Sequence, residues 1–391
     1  MINSLNDLQF LHDPYPAYAA LREVCPVQEV AVGNGHRGYL ITGYHEARQA
    51  FTDPRLSNDT ARFYARKPSD LSLHPDVSRN LLALDPPHHT RLRRLVPKAF
   101  TPGAVTCLRP YIQQLTDQLL STWAPGRRVD VVADLAAPLP VTVICQLLGV
   151  PEADRPAVGS WSNDLFAAGQ TERTDHASHA LAHYMADLIA SKRGAPDESL
   201  LHDLITAGDD YDQFTDNELV SLSVLLLVAG HETTTNAIGN ALLTLLQHPA
   251  DLQRLRANPD LIRPALDELL RIDPSVGIAA HRWTTETLTL GTTEIPAGTP
   301  VFISPGAANR DPRRYPEPDR LDLDRAPSGH LAFGHGIHRC LAAPLGLAEL
   351  EIALHTLITR FPQIRLAVPT EELHWRRTRF VRGLSSLPVL L

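Results

Sequence analysis

The chain has only four cysteines, Cys25, Cys107, Cys145 and Cys340, and they stand far apart. No CxxC pair or histidine cluster accompanies them, which argues against a zinc or iron–sulfur site. A disulfide framework does not suit a chain of 391 residues, and its absence points to a reducing compartment. Basic excess is also missing. Lys plus Arg is 36 against 44 for Asp plus Glu, a net charge of −8, the wrong sign for a general nucleic-acid binder. No apolar run is long enough to span a membrane; the longest, around residues 224–229, is a few residues only. The N-terminal stretch through Tyr18 lacks the basic and apolar regions of a signal peptide. These absences predict a cytoplasmic protein with no membrane and no nucleic-acid partner. Repeats and low-complexity segments are absent too. Lysines are few while Ala, Leu and Arg abound, a balance that suits a GC-rich genome.

What is present is length and helical period. A chain this long exceeds the usual size of one compact core, so one large or two unequal lobes are expected. Residues 17–23 read as a short helix opened by Pro14 and Pro16. Strands are expected at 27–32 and 38–42, joined by a turn at 33–35, with a helix over 44–52. The polar stretch 53–82 has the length of a functional loop. After Pro86 and Pro87 a helix opens with His89 and Arg93 on one face and Arg94 and Lys98 on another. Amphipathic helices follow at 104–123, 138–148, 151–168 and 171–193, with a strand at 129–132, a break at 167–170 and a short helix at 197–207. Thr215 and Glu218 form a capping box. It opens a helix running to about Gln247, some 48 Å long at about 1.5 Å per residue. Residues 222–238 are apolar on nearly all faces, so this helix is expected to cross the interior. Helices at 250–258 and 261–271, a strand over 281–290, a turn at 295–298, a strand at 299–304 and a Pro-rich irregular run at 308–325 lead to the last long helix, 341–359.

Four groups of residues carry chemistry. The first is the run Phe333, Gly334, His335, Gly336, Ile337, His338, Arg339, Cys340. Two glycines permit a tight turn and close backbone approach. A cysteine at the mouth of a helix is biased toward thiolate, hence toward metal ligation or nucleophilic attack. The second is Ala229, Gly230, His231, Glu232, Thr233, Thr234 inside the interior helix. A mid-helix glycine costs about 1 kcal/mol against alanine, and a buried acid needs a reason. A kinked core helix with threonine bonded to its own backbone is the plainer reading. The third is His89 with Arg93, suited to carboxylates or simply a solvated basic face. The fourth is Glu268 with Arg271, an i, i+3 ion pair read as structural.

Together and in this order, over essentially the whole chain, these motifs resemble the cytochrome P450 family, whose loop reads Phe-Gly-x-Gly-x-His-x-Cys. The resemblance implies a mainly α fold with small β sheets (α+β), a triangular helix-rich prism with a long central helix over the haem. It implies a single domain over 1–391, with a helix-rich lobe at about 85–275 and 330–360 and a β-rich lobe at about 15–60, 276–305 and 365–391. Cys340 would be the axial thiolate of haem b (iron protoporphyrin IX), the ligation by which this family is known. Phe333, Gly334 and His338 would shape its loop, and His89, Arg93 and Arg282 would meet the propionates. Ala229 and Gly230 would leave room for O2, with Glu232 and Thr233 handling protons. Arg320 would complete a structural triad with Glu268 and Arg271. The helices at 151–168 and 171–193, joined by the break at 167–170, would form a mobile lid, and substrate would be lined by 53–84, 160–185, 225–234, 276–281 and 378–384.

The implied activity is a monooxygenase of the soluble bacterial type. It would put one oxygen atom of O2 into a small-to-medium apolar substrate, by hydroxylation or epoxidation, tailoring a secondary metabolite such as a polyketide, macrolide or terpenoid. Electrons would come from NAD(P)H through a ferredoxin and ferredoxin reductase. A peroxide-driven peroxygenase and a haem-based sensor are the alternatives; neither needs the Glu232–Thr233 pair. Three positions depart from the family pattern: Ala342 stands for Gly, and Gly346 and Leu347 stand for Ala and Arg. The lost arginine is expected to alter affinity for the electron donor and not haem content.

Overall fold

The computed structural model describes residues 8–33, 36–59, 72–96, 100–165, 170–195, 197–207, 213–279, 281–326, 329–378 and 380–391. The expected turn at Asn34 and Gly35, residues 60–71 of the 53–82 loop, Lys98, the break at Ala167–Gly169, Ala280 and Arg379 lie outside them. The helices are α1 (Leu8–His12), α2 (Tyr15–Val24), α3 (Tyr44–Thr52), α4 (Pro75–Ser78), α5 (His88–Leu95), α6 (Pro102–Leu119), α7 (Pro138–Leu148), α8 (Arg155–Asp164), α9 (Thr171–Gly194), α10 (Leu200–Ile205), α11 (Asp216–Gln247), α12 (Pro249–Ala257), α13 (Ile262–Ile272), α14 (Pro305–Ala308) and α15 (Ala343–Arg360). The strands are β1 (Val27–Gly33), β2 (His36–Ile41), β3 (Leu56–Ser57), β4 (Arg128–Asp130), β5 (Arg282–Thr284), β6 (Leu288–Leu290), β7 (Thr293–Ile295), β8 (Pro300–Ile303), β9 (Arg365–Leu366) and β10 (Pro388–Leu390). The architecture is mainly α with small sheets, as the helical periods predict.

Two compact units share the chain. One comprises Met1–Leu56, Thr106–Leu139 and Thr233–Leu391. It holds a five-stranded sheet of order β1-β2-β8-β5-β3. β1 and β2 pair antiparallel with Val27 opposite Ile41, and β2 pairs parallel with β8, Tyr39 opposite Val301. Ile41, Val301 and Ile303 from this sheet pack with Ala47, Ala50 and Phe51 of α3. That core fixes the C-terminal end of α3, which the site uses. The other unit comprises Ser57–Val105 and Pro140–Glu232, and contains α4, α5, α8, α9 and α10.

Several boundaries differ from expectation for identifiable reasons. The strand at 129–132 stops at Asp130, whose carboxylate accepts from the amides of Val132 (3.0 Å) and Leu387 (2.9 Å) and turns the chain into a π-helical turn. The strand at 281–290 is really two. Thr285 turns aside to donate to the Arg55 carbonyl at 2.8 Å, and β6 then forms its own hairpin with β7. α6 starts at Pro102 and not after Gly103, because proline suits a first helical turn. α10 starts at Leu200, where the Ser199 hydroxyl accepts from the His202 amide. The capping box of α11 forms in both directions: Thr215 N–H donates to Glu218 (2.9 Å) and Glu218 N–H to the Thr215 hydroxyl (3.3 Å).

Candidate active site

The cysteine loop is built onto the end of α3. Gly336 has φ of 76°, and a Cβ there would lie 2.8 Å from the Phe51 carbonyl oxygen. Only glycine lets the loop come down so closely. Gly334, with φ of 70°, makes the preceding turn, its N–H donating to the Leu331 carbonyl at 2.9 Å. The Cys340 N–H donates to the Phe333 carbonyl at 2.9 Å, folding the loop back on itself. Gly336–His338 is a single 3-10 turn, with His338 half-buried. The loop is thus held at both ends while Cys340 itself is exposed. α15 begins three residues later, and its Ala342 N-cap makes no side-chain bond to the first amides. Those amides give the helix a positive end near the sulfur, which favours thiolate.

Arg282 reaches the same place from β5. It is buried, and its Nη1 donates to the carbonyls of Ala50 (2.9 Å) and Phe51 (3.0 Å). Its guanidinium lies over the Phe51 ring, 5.4 Å from the centroid. Phe51 is therefore the shared footing of Arg282 and Gly336.

α11 carries the second motif. Most of its middle is buried, yet Leu225, Val228, Ala229 and Thr233 are accessible. Spaced three or four apart, they form one stripe. Gly230, beside Ala229, is partly accessible as well, and the place of its missing Cβ is 3.5 Å from Ile144 of α7. Glu232 is buried, and His231, also buried, meets the Ser162 hydroxyl through Nδ1 at 3.3 Å. On the far side, a Cβ at Gly346 of α15 would lie 3.5 Å from the Thr234 hydroxyl. The helix that follows Cys340 and the residue after Thr233 are thus brought into contact.

His89 and Arg93 share α5. His89 is buried, and burial together with the Arg93 charge pushes its pKa below the ordinary histidine value. It therefore presents a neutral imidazole at pH 7 and not the imidazolium that charge pairing would call for. Arg93, half-buried one turn on, carries the charge.

The structural pair is correct, but its third member is not Arg320. Glu268 and Arg271 are fully buried and joined twice, Nε at 2.7 Å and Nη2 at 2.8 Å. Arg325 Nε completes the group at 3.2 Å from Glu268 Oε1. Arg320 lends only its carbonyl to Arg271, at 3.2 Å, and its own side chain turns out to Glu317 at 2.8 Å. Glu349 on α15 was not anticipated in any special role. It is wholly buried, and burial pushes its carboxyl up to about 8. The C-terminal segment seats on α11: Asn240 Nδ2 donates to the Arg382 carbonyl (3.1 Å), and Asn236 occupies the space beside Gly383. Gly277 N–H donates to the Phe380 carbonyl at 3.0 Å, so segments 276–281 and 378–384 do meet.

An exposed sulfur on a rigid loop, and a buried guanidinium that shares the loop's footing on Phe51, fit a macrocycle with acidic substituents. Comparison with known proteins agrees. The family model "Cytochrome P450" matches residues 160–373. The chain belongs to the cytochrome P450 family, whose cofactor is haem. Among similar proteins, cytochrome P450 107B1 of Saccharopolyspora erythraea is 43% identical over 98% of this chain and 96% of that protein. The tirandamycin C-bound P450 monooxygenase TamI superposes with a TM-score of 0.92, at 41% identity, over 98% of this chain and 99% of that one. The bacillaene polyketide synthase cytochrome P450 PksS of Bacillus subtilis does so at 0.93 and 36% identity over 100% of both chains. This chain is a P450 monooxygenase. Among the described residues no helix is long and apolar enough to cross a membrane.

Proposed function

We propose that Cys340 would hold haem b through its thiolate, that Arg282, Arg93 and His89 would receive its propionates, and that Phe333, Gly334 and His338 would support its loop. The observation that carries this reading is the exposed Cys340 thiol on a loop pinned to Phe51, the residue that also anchors Arg282. Bound there, haem supplies dioxygen activation and one-electron chemistry. The chain supplies the rest. Ala229 and Gly230 keep the accessible face of α11 low and leave room for O2. Thr233, on that face, donates a hydrogen bond toward the reacting oxygen, and buried Glu232 passes protons to it. His89 donates an N–H beside the Arg93 charge.

The substrate we assign is a small-to-medium apolar metabolite of the polyketide or macrolide kind, hydroxylated or epoxidised in the cytoplasm. TamI with tirandamycin C and the polyketide-synthase P450 PksS support that class. NAD(P)H would supply electrons through a ferredoxin and its reductase. The test is a pair of variants. Cys340→Ser is expected to lose the thiolate-type carbon monoxide spectrum of the reduced protein. Thr233→Ala should keep that spectrum while product per NAD(P)H falls about tenfold or more, the scale of a lost proton-transfer group. Fully coupled turnover by Thr233→Ala would remove its assigned role. A metabolite screen read by the low-to-high-spin haem shift tests the substrate class.

A further inference from the structure

Three histidines gather in the unit that holds α9, within the stretches 53–84 and 160–185 but outside the four motifs used above. His74 stands immediately before α4, and His179 and His183 lie four residues apart on one face of α9. Their ring centres are 5.2 Å apart for His74 and His179, 5.7 Å for His74 and His183, and 6.3 Å for His179 and His183. The point equidistant from the three centres lies about 3.3 Å from each. A zinc ion bound about 2.0–2.1 Å from a ring nitrogen sits about 3.2 Å from the ring centre. The spacing is that of a three-histidine ligand set.

The surroundings are those of a supported ligand set as well. His179 Nε2 lies 3.2 Å from the Ser72 carbonyl, the kind of N–H donation that orients a metal-bound imidazole and leaves Nδ1 for the cation. His74 Nδ1 accepts from the Asp76 amide at 3.3 Å and lies 3.8 Å from the Asp76 carboxylate; binding a cation through Nε2 would move the ring proton to Nδ1, exchanging the amide bond for donation to that carboxylate. The backbone is already tied across: Ser72 N–H donates to Asp175 (2.8 Å) and His74 N–H to the Ser178 hydroxyl (3.0 Å). As they stand the rings meet edge to face or tilted, and no ready-made metal site exists among the described residues. His179 and His183 are exposed, so their rings turn inward by ordinary rotamer changes.

We propose that His74, His179 and His183 bind one divalent transition-metal ion, with zinc the ion that suits imidazole ligands and a water in the fourth position. The ion would clip residues 72–80 to α9. The cluster is independent of the haem ligands, so it can be tested without reading activity.

The experiment uses the full-length, haem-loaded protein without an affinity tag, titrated with zinc chloride by calorimetry. One zinc per chain is expected, and zinc should raise the melting temperature. His74→Ala, His179→Ala and His183→Ala should each weaken zinc binding at least tenfold, since losing a ligand costs no less than losing its supporting partner. His355→Ala, an exposed histidine on α15, should leave it unchanged. With copper(II) as probe, electron paramagnetic resonance should show three coupled imidazole nitrogens in the parent and two in His74→Ala. An unchanged carbon monoxide spectrum establishes that each variant is folded; His74→Gln replaces His74→Ala if that one is not. Absence of saturable zinc binding overturns the proposal. So does unchanged affinity and an unchanged copper spectrum on removal of His74, which would reduce the site to a helix pair.

Discussion

Replacing Glu349 by glutamine should make the protein more stable, and increasingly so as pH rises. The carboxyl is enclosed in α15, and burial alone lifts its pKa from 4.5 to about 8. A carboxyl whose folded pKa lies above its unfolded value favours the unfolded state wherever the unfolded chain is ionised and the folded chain is not. The cost begins near pH 4.5, grows with pH and levels off above pH 8. Each pH unit of that window is worth about 1.4 kcal/mol. The penalty is then about 1 kcal/mol at pH 5, about 3 at pH 7 and about 5 at pH 9. Glutamine has the same shape and does not ionise, so it resembles the protonated acid and removes the pH-dependent part. The assay is urea unfolding of parent and Glu349→Gln from pH 5 to 9.5, followed by circular dichroism. Midpoints should nearly coincide at pH 5 and separate steadily above it. Parallel pH profiles would refute the reasoning.

The triad makes a paired prediction. Arg325→Ala breaks a buried network and should cost about 3 kcal/mol or more, whereas Arg320→Ala removes an exposed pair with Glu317 and should cost less than about 1 kcal/mol, both read by urea unfolding. Two glycines on opposite sides of α11 differ in the same way. Gly346→Ala puts its methyl at an ordinary 3.5 Å from Thr234 and should be neutral or stabilising by up to about 1 kcal/mol. Gly383→Ala would overlap Asn236, 1.7 Å from its Oδ1, and should destabilise by about 1–3 kcal/mol. Leu347→Arg should change the electron-transfer rate with an acidic ferredoxin in a salt-dependent way while haem content stays constant; rates unchanged across a salt series would contradict this.

Local signals in the chain served the fold well wherever a signal was local. α11 was legible from end to end because its start is a capping box, its middle is apolar and Pro249 follows its end. The cysteine loop was legible for a similar reason, since Gly334, Gly336 and Cys340 do their work within eight residues. What escaped depends on partners distant in sequence. Arg320 and Arg325 lie five apart in a segment without period, and only the path of the chain around Arg271 decides which reaches Glu268. His179 and His183 carried a visible four-residue spacing, but the third ring comes from residue 74, across a stretch with no helical signal. Glu349 drew little notice because a single acid in an amphipathic helix is ordinary until burial on every side is seen.

Among its described residues the segment between α14 and the cysteine loop has no regular secondary structure, yet three of its arginines are tied down. Arg310 donates twice to the Ile272 carbonyl, Arg313 clasps Asp311 and Glu46, and Arg325 reaches Glu268. Trypsin cuts after arginine, and it needs an extended stretch of chain free of such ties. Cleavage at these three residues must wait for the ties to open, at a rate governed by local unfolding and not by surface exposure. Arg320, whose side chain faces solvent, marks where a first cut would fall. Coil in this protein therefore does not mean slack: the irregular run leading to Cys340 behaves as a tensioned strap, and a protease ladder would read out the order in which it lets go.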